Sequence, residues 1–146
     1  MRFAQFLQEK VTGCPVATFD LGVNLKNRQY AIDNVGYGPA NPDNNSADNK
    51  KFWDKKAKMW NVSVENVKTM TCGNCAAFNI SSQMRACMEK GIEASEPGEV
   101  AKTDDVMATI KKADLGYCQL LHFKCAGYRT CDAWLYNGPI DNKDLT

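Results

Sequence analysis

Histidine is nearly absent: the 146-residue chain has one, His122. A Rieske-type centre takes two histidine ligands, so that cluster is excluded. An excess of charge is missing as well. The 18 Lys and Arg nearly balance the 17 Asp and Glu, giving a formal net charge of +1. The basic residues are scattered, so no electrostatic grip on nucleic acid is expected. No apolar run approaches the length of a membrane span, and no membrane partner is expected. The N-terminal stretch "MRFAQFLQEKVTGCPVATFD" lacks a long apolar core followed by a small-residue cleavage site. It reads as mature sequence made in the cytoplasm without a signal peptide. On that expectation the sequons at Asn44, Asn61 and Asn79 carry no weight, because glycosylation follows secretion. A glycine-rich phosphate loop, a convincing pair of carboxylates and an internal repeat are also lacking. No catalytic residue is assigned, and the chain is not expected to be an enzyme.

Cysteine is abundant. Seven are present, at 14, 72, 75, 87, 118, 125 and 131. In a reducing compartment such clustering favours metal binding over a disulfide framework, and an odd count weakens a purely disulfide reading.

Along the chain, Phe3, Phe6 and Leu7 recur at helical spacing and predict a short helix over 2–9. Residues 15–32, "PVATFDLGVNLKNRQYAI", mix β-branched and polar residues and predict an irregular strand or two. Residues 33–50 are dense in Asn, Asp, Gly and Pro and predict a long loop. "KFWDKKAKMW", residues 51–60, reads as an amphipathic helix. Ser63 is placed to cap a short helix "VENVKTM", and Ser81 or Ser82 to cap "QMRACMEK", with Gly91 ending it. Residues 93–102 read as a polar loop, and Thr103 as the cap of "DDVMATIKKA". Gly116 is expected to end that helix, and "YCQLLHFKC" and "CDAWLY" to be short extended pieces. The expectation is a small, irregular α+β fold: short helices and short strands around a metal cluster, with long loops. Residues 1–71 form an N-terminal extension with loop 33–50 and helices near 51–70. Residues 72–146 form a cysteine-rich cluster-binding region, the whole being one compact domain. A loop-rich domain of this kind needs a staple.

The staple is sought among the thiols. Cys72 and Cys75 form a Cys-x-x-Cys pair in "TCGNCAAF". Cys118 follows in "GYCQLL" and Cys131 in "RTCDAWL". Soft thiolates select zinc or iron–sulfur clusters. A cluster wants four Cys ligands, apolar walls and backbone N–H groups aimed at the sulfurs. Phe78, Leu121 and Trp134 each lie three positions past a cysteine, and Gly73 and Gly116 let backbone approach closely.

The ordered set "CGNC", "GYCQL" and "CDAW" resembles the high-potential iron–sulfur proteins. Those carry a Cys-x-x-Cys pair, a third Cys in a G-x-C-x-L setting and a fourth in a C-x-x-W setting about a dozen residues on. The resemblance covers 72–134 and implies a [4Fe–4S] cluster held by Cys72, Cys75, Cys118 and Cys131. It departs from the family in the longer gap between Cys75 and Cys118, in Thr130 where an aromatic residue is expected, and in the leading seventy residues, which have no counterpart there. Nearly the whole chain, from "FWDKKAKMWNVSVENV" to "GYRTCDAW", is similar to small proteins of tailed phages of marine bacteria, mostly unassigned. That resemblance implies a virion component whose partners are other protein subunits of a larger assembly. The cluster then serves as a clamp on the fold.

Three alternatives stay open beside this one. A Cys₄ zinc site draws on the same thiols, or on Cys87, Cys125 or His122, although zinc sites usually use two close ligand pairs. A high-potential-type electron carrier uses the same cluster for single-electron transfer. A thioredoxin-like pair wants a buried strand before the motif, and "ENVKTMT" is not one. Cys87 and Cys125 are surplus, as packed apolar thiols or as a disulfide formed outside the cytoplasm. Cys14 reads as a lone thiol, and His122 as a partly buried or surface side chain, or a hydrogen-bond donor to a cluster sulfur.

Overall fold

The computed structural model describes residues 13–39, 46–95 and 106–145. The helix expected over 2–9 and the Thr103 cap lie outside them. Two helices open the described chain, α1 (Val16–Phe19) and α2 (Leu21–Asn34). Asp20 separates them and caps α2, its carboxylate accepting the Val23 N–H at 3.1 Å. Strands were expected here, so this is a correction. The helical signal was weak because α2 buries Asn24 and Ala31 rather than a stripe of large apolar residues.

Helix α3 (Ala47–Trp60) starts earlier than "KFWDKKAKMW", because Ser46 caps it through the Asn49 N–H. Of the expected loop, residues up to 34 belong to α2 and residues from 47 to α3; 40–45 lie outside the described residues. Ser63 caps α4 (Val64–Val67) through the Asn66 N–H at 3.1 Å. A 3₁₀ turn (Cys72–Asn74) leads into β1 (Phe78–Asn79). Ser81 caps α5 (Ser82–Ser95) through the Met84 N–H. Gly91 does not end α5. A Cβ there would collide with the Thr18 carbonyl, so glycine is what lets α1 and α5 touch. Helix α6 (Val106–Lys112) precedes β2 (Leu115–Cys118) and β3 (Phe123–Ala126), and a 3₁₀ turn (Asn142–Leu145) follows near the end.

The three strands form an antiparallel sheet in the order β1-β2-β3. The fold is α+β, small and loop-rich, as its class was expected to be. "YCQLLHFKC" is a hairpin, but Gly116 lies within β2 and "CDAWLY" is turn and bend rather than strand. Phe78 pairs with Cys118, Cys118 with Phe123, and Gly116 with Cys125. Partners directly opposite share a face, so Phe78, Cys118, Phe123 and Cys125 lie on one side of the sheet. Tyr117 and Leu115 lie on the other.

Each face has its own core. The Tyr117 side packs on Ala17, Met84, Met88, Val106 and Ile110 from α1, α5 and α6. The Cys14–Cys87 disulfide joins the segment before α1 to α5 on this side. Cys14 is therefore not a lone thiol, and Cys87 pairs with it rather than with Cys125. The opposite face packs on the cysteine loops, with Ala31 and Tyr37 contributed from α2 and the chain just after it. A third cluster, around Trp53, Ala57 and Val67, holds α3 to α4.

Candidate metal centre

Five cysteines outside the disulfide meet on the Phe78 face: Cys72, Cys75, Cys118, Cys125 and Cys131. All four residues expected as ligands are among them. Phe78, Phe123 and Tyr37 wall the group, and Ile80, Leu121 and Trp134 close its rim. Tyr37 stands edge-on to Phe123, with ring centroids 4.9 Å apart.

Each cysteine is delivered by a fixed piece of backbone. The 3₁₀ turn carrying Cys72 is laid against the chain leaving β3: the Cys72 N–H donates to the Arg129 carbonyl, and the Gly73 N–H to the Gly127 carbonyl, both at 2.7 Å. A Cβ on Gly73 would stand 3.1 Å from that Gly127 oxygen, so the close approach expected at Gly73 is present. Asn74, between the two thiols of the pair, fastens the turn. Its amide donates to the Thr69 carbonyl, and its oxygen accepts from the Thr71 N–H and from the Trp134 indole at 3.0 Å. Trp134 is thereby tied to the pair from sixty residues away. Cys118 ends β2, Cys125 lies in β3, and Cys131 follows Thr130, whose backbone pairs with Gly38 and whose hydroxyl donates to the Met70 carbonyl.

The sulfurs are met by donors. The Leu121 N–H points at Cys118 Sγ at 3.3 Å, and the Leu135 N–H at Cys75 Sγ at 3.4 Å. The Ala133 N–H serves Cys131, and the Cys72 sulfur is met by its own N–H and lies beside the Cys125 thiol. Hydrogen bonds of this kind favour the thiolate form. At Cys72 that effect wins: the Cys125 hydrogen bond, helped by Arg129 and Lys56 and opposed by burial, holds the thiol below its ordinary value. Cys125 is held well above it, first by that same hydrogen bond and then by burial. Burial raises Cys118 and pushes Cys131 up to about 12, against the N–H groups that lower both. Burial likewise raises Tyr37, next to Cys125.

Beside the thiols lies a buried cation. Lys56, 2% exposed, pairs with Asp132 and sits between the rings of Phe52 and Trp60, 5.3 and 5.1 Å from their centroids. A cavity of about 250 Å³ opens above this pair, lined among others by Tyr37, Phe52 and Met59.

Among the described residues, no three or more His, Cys, Asp or Glu side chains are arranged to hold a single metal ion. A lone zinc draws every donor to within about 2.3 Å of one point. A cubane is a wider body, with its ligand sulfurs standing at separate corners. The donor set suits it: soft sulfur, apolar walls, N–H groups on the sulfurs and no charged side chain among the walling residues named. His122 lies at the hairpin turn with φ 57°, exposed, its Nδ1 3.4 Å from the Tyr117 hydroxyl.

Cys125 is the residue that the sequence reading set aside. The signal was present in "YCQLLHFKC". Once those residues are read as a tight hairpin, alternation puts the second residue after Phe123 back on the face of Cys118. Compared with protein-family models, curated proteins and solved structures, the chain matches none. No described helix is long and apolar enough to cross a membrane.

Proposed function

We propose that the chain binds one [4Fe–4S] cluster through Cys72, Cys75, Cys118 and Cys131, and that the cluster is a structural staple. One observation carries this reading: the four sulfurs stand in one apolar enclosure and each is met by a backbone N–H group, Cys72 by its own and by the Cys125 thiol as well. Such donors stabilise sulfur that carries negative charge, as cluster ligands do.

A cluster here fastens the turn at 72–75, the end of β2 and the segment after Thr130. None of these is long enough to be stable alone, so binding and folding are coupled. The protein's role is then to present a rigid surface to other protein subunits of a larger assembly. A virion is the assembly that the phage resemblance implies, and a disulfide suits a protein that works outside the reducing cytoplasm. Cys131→Ser is expected to lower the melting temperature sharply and to loosen residues 72–79 and 115–140 in hydrogen exchange. A variant with an unchanged melting curve would overturn the staple.

One observation favours electron transfer as a second reading. Leu135, whose N–H meets Cys75, and Leu120, beside the Leu121 donor to Cys118, are both about half exposed. Short apolar paths from sulfur to surface suit a carrier. Reversible one-electron cycling without loss of iron would support it; decomposition on the first cycle would remove it.

A further inference from the structure

The cavity of about 250 Å³ beside the thiols is lined both by the Lys56–Asp132 pair and by apolar side chains that include Ile32, Phe52 and Met59. We infer that it is a binding site for a small apolar α-amino acid in its zwitterionic form. Asp132 takes the ammonium, Lys55 the carboxylate, and the apolar walls the side chain. The site needs no cluster.

A buried ion pair is a poor way to stabilise a fold, because taking two charges out of water costs about as much as their attraction returns. Lys56 lies between two rings, where an apolar side chain would pack as well. What its charge does is hold a carboxylate. The ammonium donates to Oδ1 of Asp132, and Oδ2 has no hydrogen-bond partner among the described residues. Asp132 is fixed through its backbone too, its N–H donating to the Val35 carbonyl at 2.7 Å. The next residue, Gly36 (φ 60°), makes the room: a Cβ there would stand 2.6 and 2.8 Å from the two carboxylate oxygens. The carboxylate is therefore set in place before any ligand arrives, while its side chain stays 38% exposed.

Charge and size select the occupant. Lys55 also lines the cavity, is exposed, and has no ion-pair partner among the described residues. A ligand with a carboxylate alone would meet Lys55 but face the like charge of Asp132. One with an ammonium alone would meet Asp132 but face Lys55 and Lys56. A ligand carrying both charges satisfies each side, through charge-assisted hydrogen bonds. Ile32, Met59 and the Phe52 ring supply apolar surface for its side chain. At about 250 Å³ the cavity is smaller than the sites that take drug-sized ligands, about 300–1,000 Å³, so the body of the ligand is compact. A free amino acid with an aliphatic side chain is the class that fits.

The test is isothermal titration calorimetry of the full chain at neutral pH with three probes. These are L-leucine, L-leucinamide, which keeps only the ammonium, and 4-methylpentanoate, which keeps only the carboxylate. Wild type, Lys55→Gln and Asp132→Asn are compared. L-leucine is expected to bind the wild type saturably at one site per chain. Each single-charge analogue is expected to bind about tenfold more weakly or worse, the worth of one charge-assisted hydrogen bond. Each variant is expected to weaken L-leucine by a similar factor. Lys55→Gln is expected to bind L-leucinamide no worse than the wild type does, and Asp132→Asn to bind 4-methylpentanoate no worse. No saturable binding of L-leucine at millimolar concentration overturns the site. An analogue that binds as tightly as L-leucine overturns the zwitterion. L-leucine binding unchanged in Lys55→Gln puts the ligand elsewhere and overturns the assignment. Should Asp132→Asn fail to fold, Lys55→Gln, a change at an exposed position of α3, decides alone. Iron content does not enter any of these readings, so a failure here leaves the cluster proposal standing.

Discussion

Lys56 shows how much one buried charge constrains its neighbours. Its ammonium is enclosed by two aromatic rings and Asp132, the residue after Cys131. Removing the carboxylate leaves a buried cation without its acceptor, which costs about 3–5 kcal/mol where both partners are buried. Asp132 is 38% exposed, so the lower end of that range applies. Asp132→Ala is therefore expected to cost about 3 kcal/mol, and Lys56→Met, which fills the same aromatic slot without a charge, much less. Urea unfolding of both variants checks this, and equal losses would contradict it. The thiols set a pH dependence at the same scale. In the metal-free chain Cys118 and Cys131 are held up by burial, as is the Tyr37 hydroxyl. Groups raised on folding contribute stability that is complete below their unfolded values, about 8.5 for a thiol, and is lost as the pH climbs toward the folded ones. Cys72 is lowered and works in the opposite sense, but Cys125, raised through the same hydrogen bond, offsets it. The urea midpoint of the stripped chain is expected to fall between pH 7.5 and 9.5; a rise would refute the assignment of these shifts.

Among the elements, caps were the most legible feature. Ser63 and Ser81 donate no apolar surface, yet each begins a helix by accepting an N–H that would otherwise lack a partner. Ser63→Ala is expected to cost about 1 kcal/mol, measured by denaturant midpoint. No change would mean that packing alone holds α4. Less legible was α2, because its contacts to the hairpin are polar: Asn24 accepts the Lys124 N–H at 2.7 Å and Asn27 donates to the His122 carbonyl at 2.7 Å. Hydrophobic periodicity cannot report a helix that is held by amides. Gly91 misled for a related reason. A glycine near the end of a helical pattern reads as a stop, whereas here it serves the contact with Thr18 across the interface, a partner no local pattern reveals.

At the scale of the molecule, the chain divides its sulfur into two chemistries on opposite faces of one sheet. Cys14 and Cys87 form a disulfide on the Tyr117 side, and five thiols gather on the other. Turn residues and apolar flanks made Cys72, Cys75, Cys118 and Cys131 stand out as candidates, each in its own short stretch. Cys125 was legible only through the alternation of its hairpin, and the Cys14–Cys87 bond was not legible, since it depends on which distant segments the fold brings together. If the gathered sulfurs hold an iron–sulfur core, as proposed, the metal and acid-labile sulfide content of the full chain purified without oxygen shows it. About four iron and four sulfide per chain, with no zinc, are expected. Zinc without iron, or iron without sulfide, would contradict it.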